Sequence, residues 1–399
     1  MFDMMKRKNA EDILEILYLL AFAVYIGFFF LGTTMFQIEW PNFFYTDLRT
    51  VIAALILVRA AYSKQYKIWE VAVILGLYIL FSMASSRNGY EEYMYLLILI
   101  IGARGISFKK LIKVYAAVTA VLLIITIAAA LSGYIENLTY YQEGRRTRYA
   151  FGINYPTDFS AILFYLILAC FYIRGKKLKY IELGIAGLLG IFVYWFCDAR
   201  MNTICIIGAS LVFAVHKFFS KKAEKKQKEY RICKPISMLL ILSGILCSLV
   251  MTGLTMLYSP NNPIIAFIDN ALSSRLRLGH KGIDIYGFTL WGQNIPMIGL
   301  GSTTKDVDFY FFLDSSYIYN LLQFGLLIAV LLLAAWTMIS GKAYIKKEWE
   351  LLLILAIIAV QCMVEHHMVS VAFNPFWMAL LGELSVETTK GKKVKRGSI

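Results

Sequence analysis

Residues 13–32 read "ILEILYLLAFAVYIGFFFLG", with Glu15 as the single charge in the run. A helix needs about 20 apolar residues to cross the ~30 Å hydrocarbon layer of a bilayer. This stretch meets that length, and so does the region around "LLIAVLLLAAWTMI" (326–339). Basic residues precede the first run, in "MFDMMKRKNAED", as they do in a signal peptide. The run is longer than the ~7–15-residue apolar region of such a peptide, and no A-x-A site follows. It is read as a retained first helix.

The composition agrees. Of 399 residues, 59% are hydrophobic and only 17% are charged, which excludes a soluble globular chain. Apolar segments fall near 13–35, 48–63, 67–86, 92–103, 111–133, 157–173, 181–197, 201–219, 236–258, 315–338, 350–366 and 369–386. The expectation is an all-α polytopic membrane protein of about twelve transmembrane helices (range 10–12), forming one integral membrane domain over 1–399. No internal repeat of 20–50 residues recurs.

The net charge of +14 invites a nucleic-acid reading. Basic cytoplasmic loops account for it more simply. With the N-terminus in the cytoplasm, roughly three quarters of the 40 Lys and Arg fall on the cytoplasmic side, including the clusters at 221–234 and 390–396. Both termini are then cytoplasmic, with a basic tail at 387–399. No nucleic-acid partner is expected. The six cysteines lie mostly in apolar runs without a C-x-x-C pair, as packing thiols do.

This orientation leaves two external loops, 134–156 and 259–314. "GRRTRYAFGINYP" (144–156) places Arg145, Arg146 and Arg148 on the side where the sorting rule disfavours them. Arg200 stands in the tight turn "CDARMN" beside Asp198, and Arg275, Arg277 and Lys281 lie in the long loop. An external arginine can simply snorkel to headgroups. Several of them beside turn motifs suggest an anionic client on the outer face.

The long loop is not low-complexity, and loops of this length commonly carry function. After "SPNNP", Asp269, Asn270, Ser273 or Ser274 is placed to cap a helix. At ~100° per residue, Leu272, Leu276, Ile283, Tyr286 and Leu290 share one face, and Ser274, Arg277, Lys281 and Asp284 the other. This predicts an amphipathic helix on the lipid interface or the bundle. "IPMIGLGS" follows, with Gly299 and Gly301 permitting close backbone approach. Glu365, His366 and His367 occupy a turn between the last two apolar segments, and a carboxylate at membrane depth is costly enough to suggest function. His280 is a further candidate base. No His spacing recommends a metal.

These pieces, in this order, resemble the Wzy-type O-antigen and capsule repeat-unit polymerases and the related O-antigen ligases. "RYAFGINYP" (148–156) looks like that family's external Arg–Gly–Asn–Pro stretch, and "DARMNTICIIGASLVF" (198–213) like its Arg-containing turn before a helix. "SSRLRLGHKGIDIYG", "IPMIGLGS" and "DSSYIYNLLQFGLL" follow its order of arginine, amphipathic helix, Gly-x-Gly and Asp–Ser–x–Tyr. "VEHHMVSVAFNPFWMALLG" (364–382) is similar to its closing Glu and Asn. Two departures stand out: Tyr155 separates Asn154 from Pro156, and the turn reads Asp198-Ala199-Arg200-Met201.

The resemblance implies a GT-C-like fold and a metal-independent, inverting glycosyltransferase without cofactor, in the bacterial cytoplasmic membrane. The donor is a polyprenyl-pyrophosphate-linked glycan. The acceptor is a lipid-linked oligosaccharide repeat unit at the outer face. Membrane lipids, a flippase and a chain-length regulator are the further partners expected. Arg145, Arg148, Arg200 and Arg277, together with Arg275, are assigned to the pyrophosphate. Glu365 is the expected base, with His280 and Asp314 behind it, and Asn154, Asp198, Gly299, Gly301, Asp314 and Tyr317 complete the expected site. Two rivals remain open at this stage: a ligase that moves finished glycan to another acceptor, and a lipid-linked-glycan flippase or transporter.

Overall fold

The computed structural model describes residues 2–36, 38, 42–63, 66–141, 146–227, 229–299 and 310–384. Arg145, Gly301 and the tail 387–399 lie outside the described residues. The first five helices are α1 (Phe2–Leu31), α2 (Asn42–Ser63), α3 (Ile68–Asn88), α4 (Glu92–Gly102) and α5 (Phe108–Leu131). A two-stranded ribbon, β1 (Thr139–Tyr140) and β2 (Arg148–Tyr149), leads into α6 (Pro156–Arg174). Then come α7 (Tyr180–Cys197), α8 (Arg200–Lys225), α9 (Lys234–Ile241), α10 (Ser243–Met256), α11 (Pro263–Ala271) and α12 (Arg275–Tyr286). The chain ends its helical part with α13 (Ser316–Tyr319), a π turn at Asn320–Phe324, α14 (Gly325–Ile345) and α15 (Trp349–Gln361).

Among the described residues, seven helices are long and apolar enough to cross a membrane, or eight when the α9–α10 pair, bent by 59°, counts as one span. The protein is therefore an α-helical, multi-pass membrane protein. Among the described residues, the expected segments at 48–63, 92–103, 350–366 and 369–386 give no such helix. The stretches at 92–103 and 350–366 give helices of 11 and 13 residues. At 1.5 Å per residue, the longer reaches only about 20 Å. Both are almost wholly buried among other helices, so a protein wall substitutes for length.

The expected last span, 369–386, is not an α-helix. Its described part is irregular chain with one 3₁₀ stretch, Pro375–Leu380. It runs from the turn after α15 to Glu383, whose backbone bonds to Ile106 and Phe108 at the start of α5. Non-helical backbone survives at membrane depth only when protein satisfies its polar groups. Here side chains do so. Tyr115 donates to the Phe373 carbonyl at 2.7 Å, and Trp377 Nε1 to Met368 at 2.6 Å. Lys342 Nζ reaches the carbonyls of Ala379, Leu380 and Gly382. Proline at 375 and the Asn374 side chain, which accepts from Phe376 N, set the 3₁₀ turn.

Burial separates centre from rim. In α6, 72% of the best apolar window is buried, against 11% in α3, whose Trp69, Val73, Leu75 and Ile79 face outward. Outward apolar side chains suit lipid rather than water. The helix ends alternate, so the α5–α6 ribbon, the α7–α8 turn, α11–α12 and the end of α15 collect at one end of the bundle. The loops rich in lysine lie at the other.

The long loop holds two helices rather than one. The chain turns at Ser273 and Ser274, both with positive φ (55° and 67°). Asp269 caps α12 from outside, its Oδ1 accepting from the Leu276 and Arg277 amides at 2.9 and 3.1 Å. α12 rests on the bundle through Gly279 and Gly282, where an added Cβ would meet Thr255 at 2.8 Å and Leu322 at 3.1 Å. Further on, Gly292 and Gly325 bring two backbones together: a Cβ on Gly325 would lie 2.3 Å from the Gly292 nitrogen. Both glycines have φ of 84°, so the chain after α12 docks on the π turn.

Candidate active site

At the end where these turns gather, a cavity of about 870 Å³ opens between the ribbon, the α7–α8 turn, α11–α12 and the end of α15. Arg148, Arg200, Arg275 and Arg277 line it, as do Asp158, Asp198, Asp314 and Glu365. Tyr140, Tyr155, Tyr310 and Phe312 add aromatic walls.

Local structure holds Arg148, Arg200 and Arg275. Arg148 sits on β2, paired with Tyr140, and its Nε donates to the Cys197 carbonyl at 3.0 Å, where α7 ends. Asp198 continues that end in the left-handed conformation (φ 47°), which turns the chain directly into α8 and places Arg200 at its first position. The Asp198 carboxylate is buried, with Arg146 and Arg200 each 3.7 Å away. Arg146 is drawn aside over Tyr194 and Trp195, at 4.3 and 4.7 Å from their ring centres, and does not line the cavity.

Arg275 and Arg277 open α12. Arg275 is well enclosed, with 17% of its side chain exposed, and its NH2 lies 3.1 Å from Asp314 Oδ2. Its NH1 donates to the Ser273 carbonyl at 2.9 Å. Burial opposes its charge, but Asp314 and Glu365 more than offset that and raise its pKa. The guanidinium is thus locked in the charged form with its orientation fixed.

Glu365 forms the floor. It lies beyond the end of α15, and its backbone carbonyl accepts from Ser316 N at 3.2 Å and Ser316 Oγ at 2.5 Å. Asn202 Nδ2 donates to Glu365 Oε1 at 3.0 Å. Burial pushes the carboxyl up to about 8; Arg275 pulls it down, while Asp314 and Asp158 push it up. His366 and His367 move the other way, burial lowering them to about 4 and about 3, so both rings are neutral at neutral pH.

His367 Nε2 lies 3.4 Å from Asp158 Oδ1 and 3.9 Å from Glu365 Oε2, and its ring stacks on Phe373 at 3.8 Å. The donor atoms of Glu365, His366 and His367 lie within 4.8 Å of one another, a spacing that admits a cation. The hydrogen bond already committed on Glu365 Oε1 fits a carboxylate oriented for proton transfer.

The structure brings Arg148, Arg200, Arg275, Arg277, Asp198, Gly299, Asp314 and Glu365 to one cavity. Three other expected residues lie elsewhere. His280 faces α10, its Nδ1 3.0 Å from the Thr255 carbonyl and its Nε2 3.4 Å from Asp284, because α12 turns that side to the bundle. Asn154 ties the ribbon to α1: its backbone N–H donates to Thr33 at 2.8 Å and its side chain to Gly32 at 3.3 Å. Tyr317 is buried, donating to the Ala359 carbonyl at 2.8 Å, and so holds α13 against α15.

Sequence reasoning missed Asp158 and Asn202 as site residues. Asp158 carried a signal, an acid in the first turn of an apolar helix. Asn202 carried none beyond its place in the turn motif.

Chemically, the cavity combines fixed cations suited to a phosphate-bearing anion with a recessed carboxylate able to take a proton. Comparison with protein-family models, curated proteins and solved structures found no match.

Proposed function

We propose that this protein is a glycosyltransferase that polymerises a polyprenyl-pyrophosphate-linked glycan onto a lipid-linked repeat unit at the outer face of the cytoplasmic membrane. The observation that carries the reading is the opposition, within one cavity, of Arg275 with Arg148, Arg200 and Arg277 to the carboxylate of Glu365. Breaking an anomeric C–O bond to a pyrophosphate leaves negative charge on the departing oxygen. Guanidinium groups placed beforehand stabilise that charge, and their planar forks bind phosphate oxygens in pairs. The attacking hydroxyl must lose a proton, and Glu365 on the floor is the group assigned to take it. Tyr155, Tyr310 and Phe312 offer ring faces to the sugar.

The positions of charge also argue against a transporter, which would carry ionisable groups near the middle of its spans. Here the arginines stand at helix ends and in loops. The orientation with the cavity outside rests on the distribution of lysine and arginine.

The test is a gel of lipid-linked glycans from cells lacking the protein, complemented with wild type or Arg275→Ala. The proposal expects a ladder with wild type and a single repeat unit in both the deletion and the variant. A full ladder in the deletion, with polymer retained on its lipid carrier, would reassign the cavity to a ligase. An unchanged ladder in Arg275→Ala would remove that arginine from the chemistry.

A further inference from the structure

Behind Glu365, inside the bundle, a chain of buried polar side chains links three helices. Tyr165 on α6, Gln361 on α15 and Asn202 on α8 are all fully enclosed. Such groups are expensive at membrane depth unless each finds a partner. The Tyr165 hydroxyl donates to Gln361 Oε1 at 3.1 Å. That turns the Gln361 amide nitrogen toward Asn202 Oδ1, to which it donates at 3.2 Å. Asn202 must then present its own nitrogen the other way, to Ser160 Oγ at 2.7 Å and Glu365 Oε1 at 3.0 Å.

From Tyr165 through Gln361 to Asn202, each donor in turn points toward the carboxylate, and each bond fixes the orientation of the next amide. With the order reversed, Asn202 Oδ1 would face Glu365 Oε1, an arrangement that is complete only when Glu365 carries a proton. In the order present here Oε1 accepts from Asn202 and Oε2 is left for the proton.

We propose that Asn202 is a positioning residue for the glycosyl transfer, holding Glu365 Oε1 so that Oε2 meets the acceptor hydroxyl, and that Gln361 and Tyr165 set its direction. This rests on the reading of Glu365 as the proton acceptor. A side chain held within a fraction of an ångström matters because a 1 Å misplacement of a reacting group costs roughly 100-fold in rate.

The test uses purified full-length protein, lipid-linked repeat units as the only substrate, and kcat and KM measured across pH. Asn202→Leu should lower kcat roughly 100-fold with KM unchanged. It should also move the acidic limb of the profile to higher pH, since a lost donor makes the carboxylate easier to protonate. Besides Tyr165 on α6, Glu365 is faced by Arg275 of α12, Asp314, Asp158 of α6, Arg148 of β2, Cys205 of α8, His366 and His367. Asn202→Leu leaves all of them in place.

Tyr165→Phe removes one hydroxyl that does not line the cavity and should lower kcat roughly fivefold, the equivalent of one hydrogen bond. In a Glu365→Gln background it should change nothing further. Should Asn202→Leu fail to fold, Tyr165→Phe decides alone. The proposal is overturned if wild type polymerises and Glu365→Gln is impaired, yet the Asn202 and Tyr165 variants keep the wild-type kcat and pH profile. If wild type makes no polymer, the reading of Glu365 falls first and this proposal with it.

Discussion

At the end opposite the cavity, Lys110 meets Glu15 at 2.6 Å and Arg174 meets Glu182 at 2.7 Å. At the cavity end, Arg275 meets Asp314 at 3.1 Å. The distances are similar, but the settings differ. The Lys110 side chain is 59% exposed and that of Arg275 only 17%. An exposed pair is screened by water and salt and contributes little. An enclosed guanidinium is fixed in charge and direction, which is what a site needs when negative charge develops in front of it. Basic residues at one end serve to orient the chain in the membrane. At the other end, a few arginines are built into turns, caps and helix starts.

The comparison can be broken most directly at Arg275. Arg275→Ala should reduce polymerisation by roughly 1,000-fold, and Arg275→Lys should fail to restore it, because lysine cannot bind two oxygens in a plane. Turnover of lipid-linked repeat units by purified protein measures this, and near-normal turnover with lysine would reduce Arg275 to a point charge. Glu365→Gln should cost on the order of 100-fold. Because Glu365 must be deprotonated to act and titrates at about 8, the wild-type rate should rise with pH up to that region, while the variant's rate should not. A wild-type rate that is level from acid to alkaline pH would place the proton elsewhere.

Arg200 is a gentler test. Its side chain is 49% exposed and it stands 3.7 Å from Asp198, so Arg200→Ala should cost about tenfold, a loss that shrinks as salt rises. A salt-independent loss would indicate a more enclosed role in the working complex. The smallest effect belongs to the other end. Lys110→Gln should leave turnover unchanged and shift stability by less than about 1 kcal/mol, measured by thermal unfolding in detergent. A clear loss of activity there would dissolve the distinction between the two ends.

Much of this was legible in the sequence, and the exceptions share a cause. Hydrophobic length located the seven long spans, because a helix facing lipid on much of its surface advertises itself in every residue. Among the described residues no full-length span stands at 48–63, 92–103, 350–366 or 369–386, and at the last three the neighbours are protein, so neither length nor helical backbone is required. The cavity arginines stood out because, in the orientation expected from the sequence, they contradict the charge rule. Gln361, Asn202 and Asp158 did not, since they belong to three different helices and acquire meaning only through packing. His280 misled for the same reason: its chemistry suited a base, but the side of α12 that carries it faces α10.

The irregular passage from Ser370 to Gly382 has a consequence for biogenesis. A helix can enter the bilayer alone, since its backbone is internally satisfied, but this passage borrows its partners from Tyr115 of α5 and Lys342 of α14. It therefore has no stable place in lipid until those helices have assembled around its slot, and both precede it in the chain. The turn carrying Glu365 adjoins this passage, so the proposed proton acceptor reaches its position only at the close of assembly.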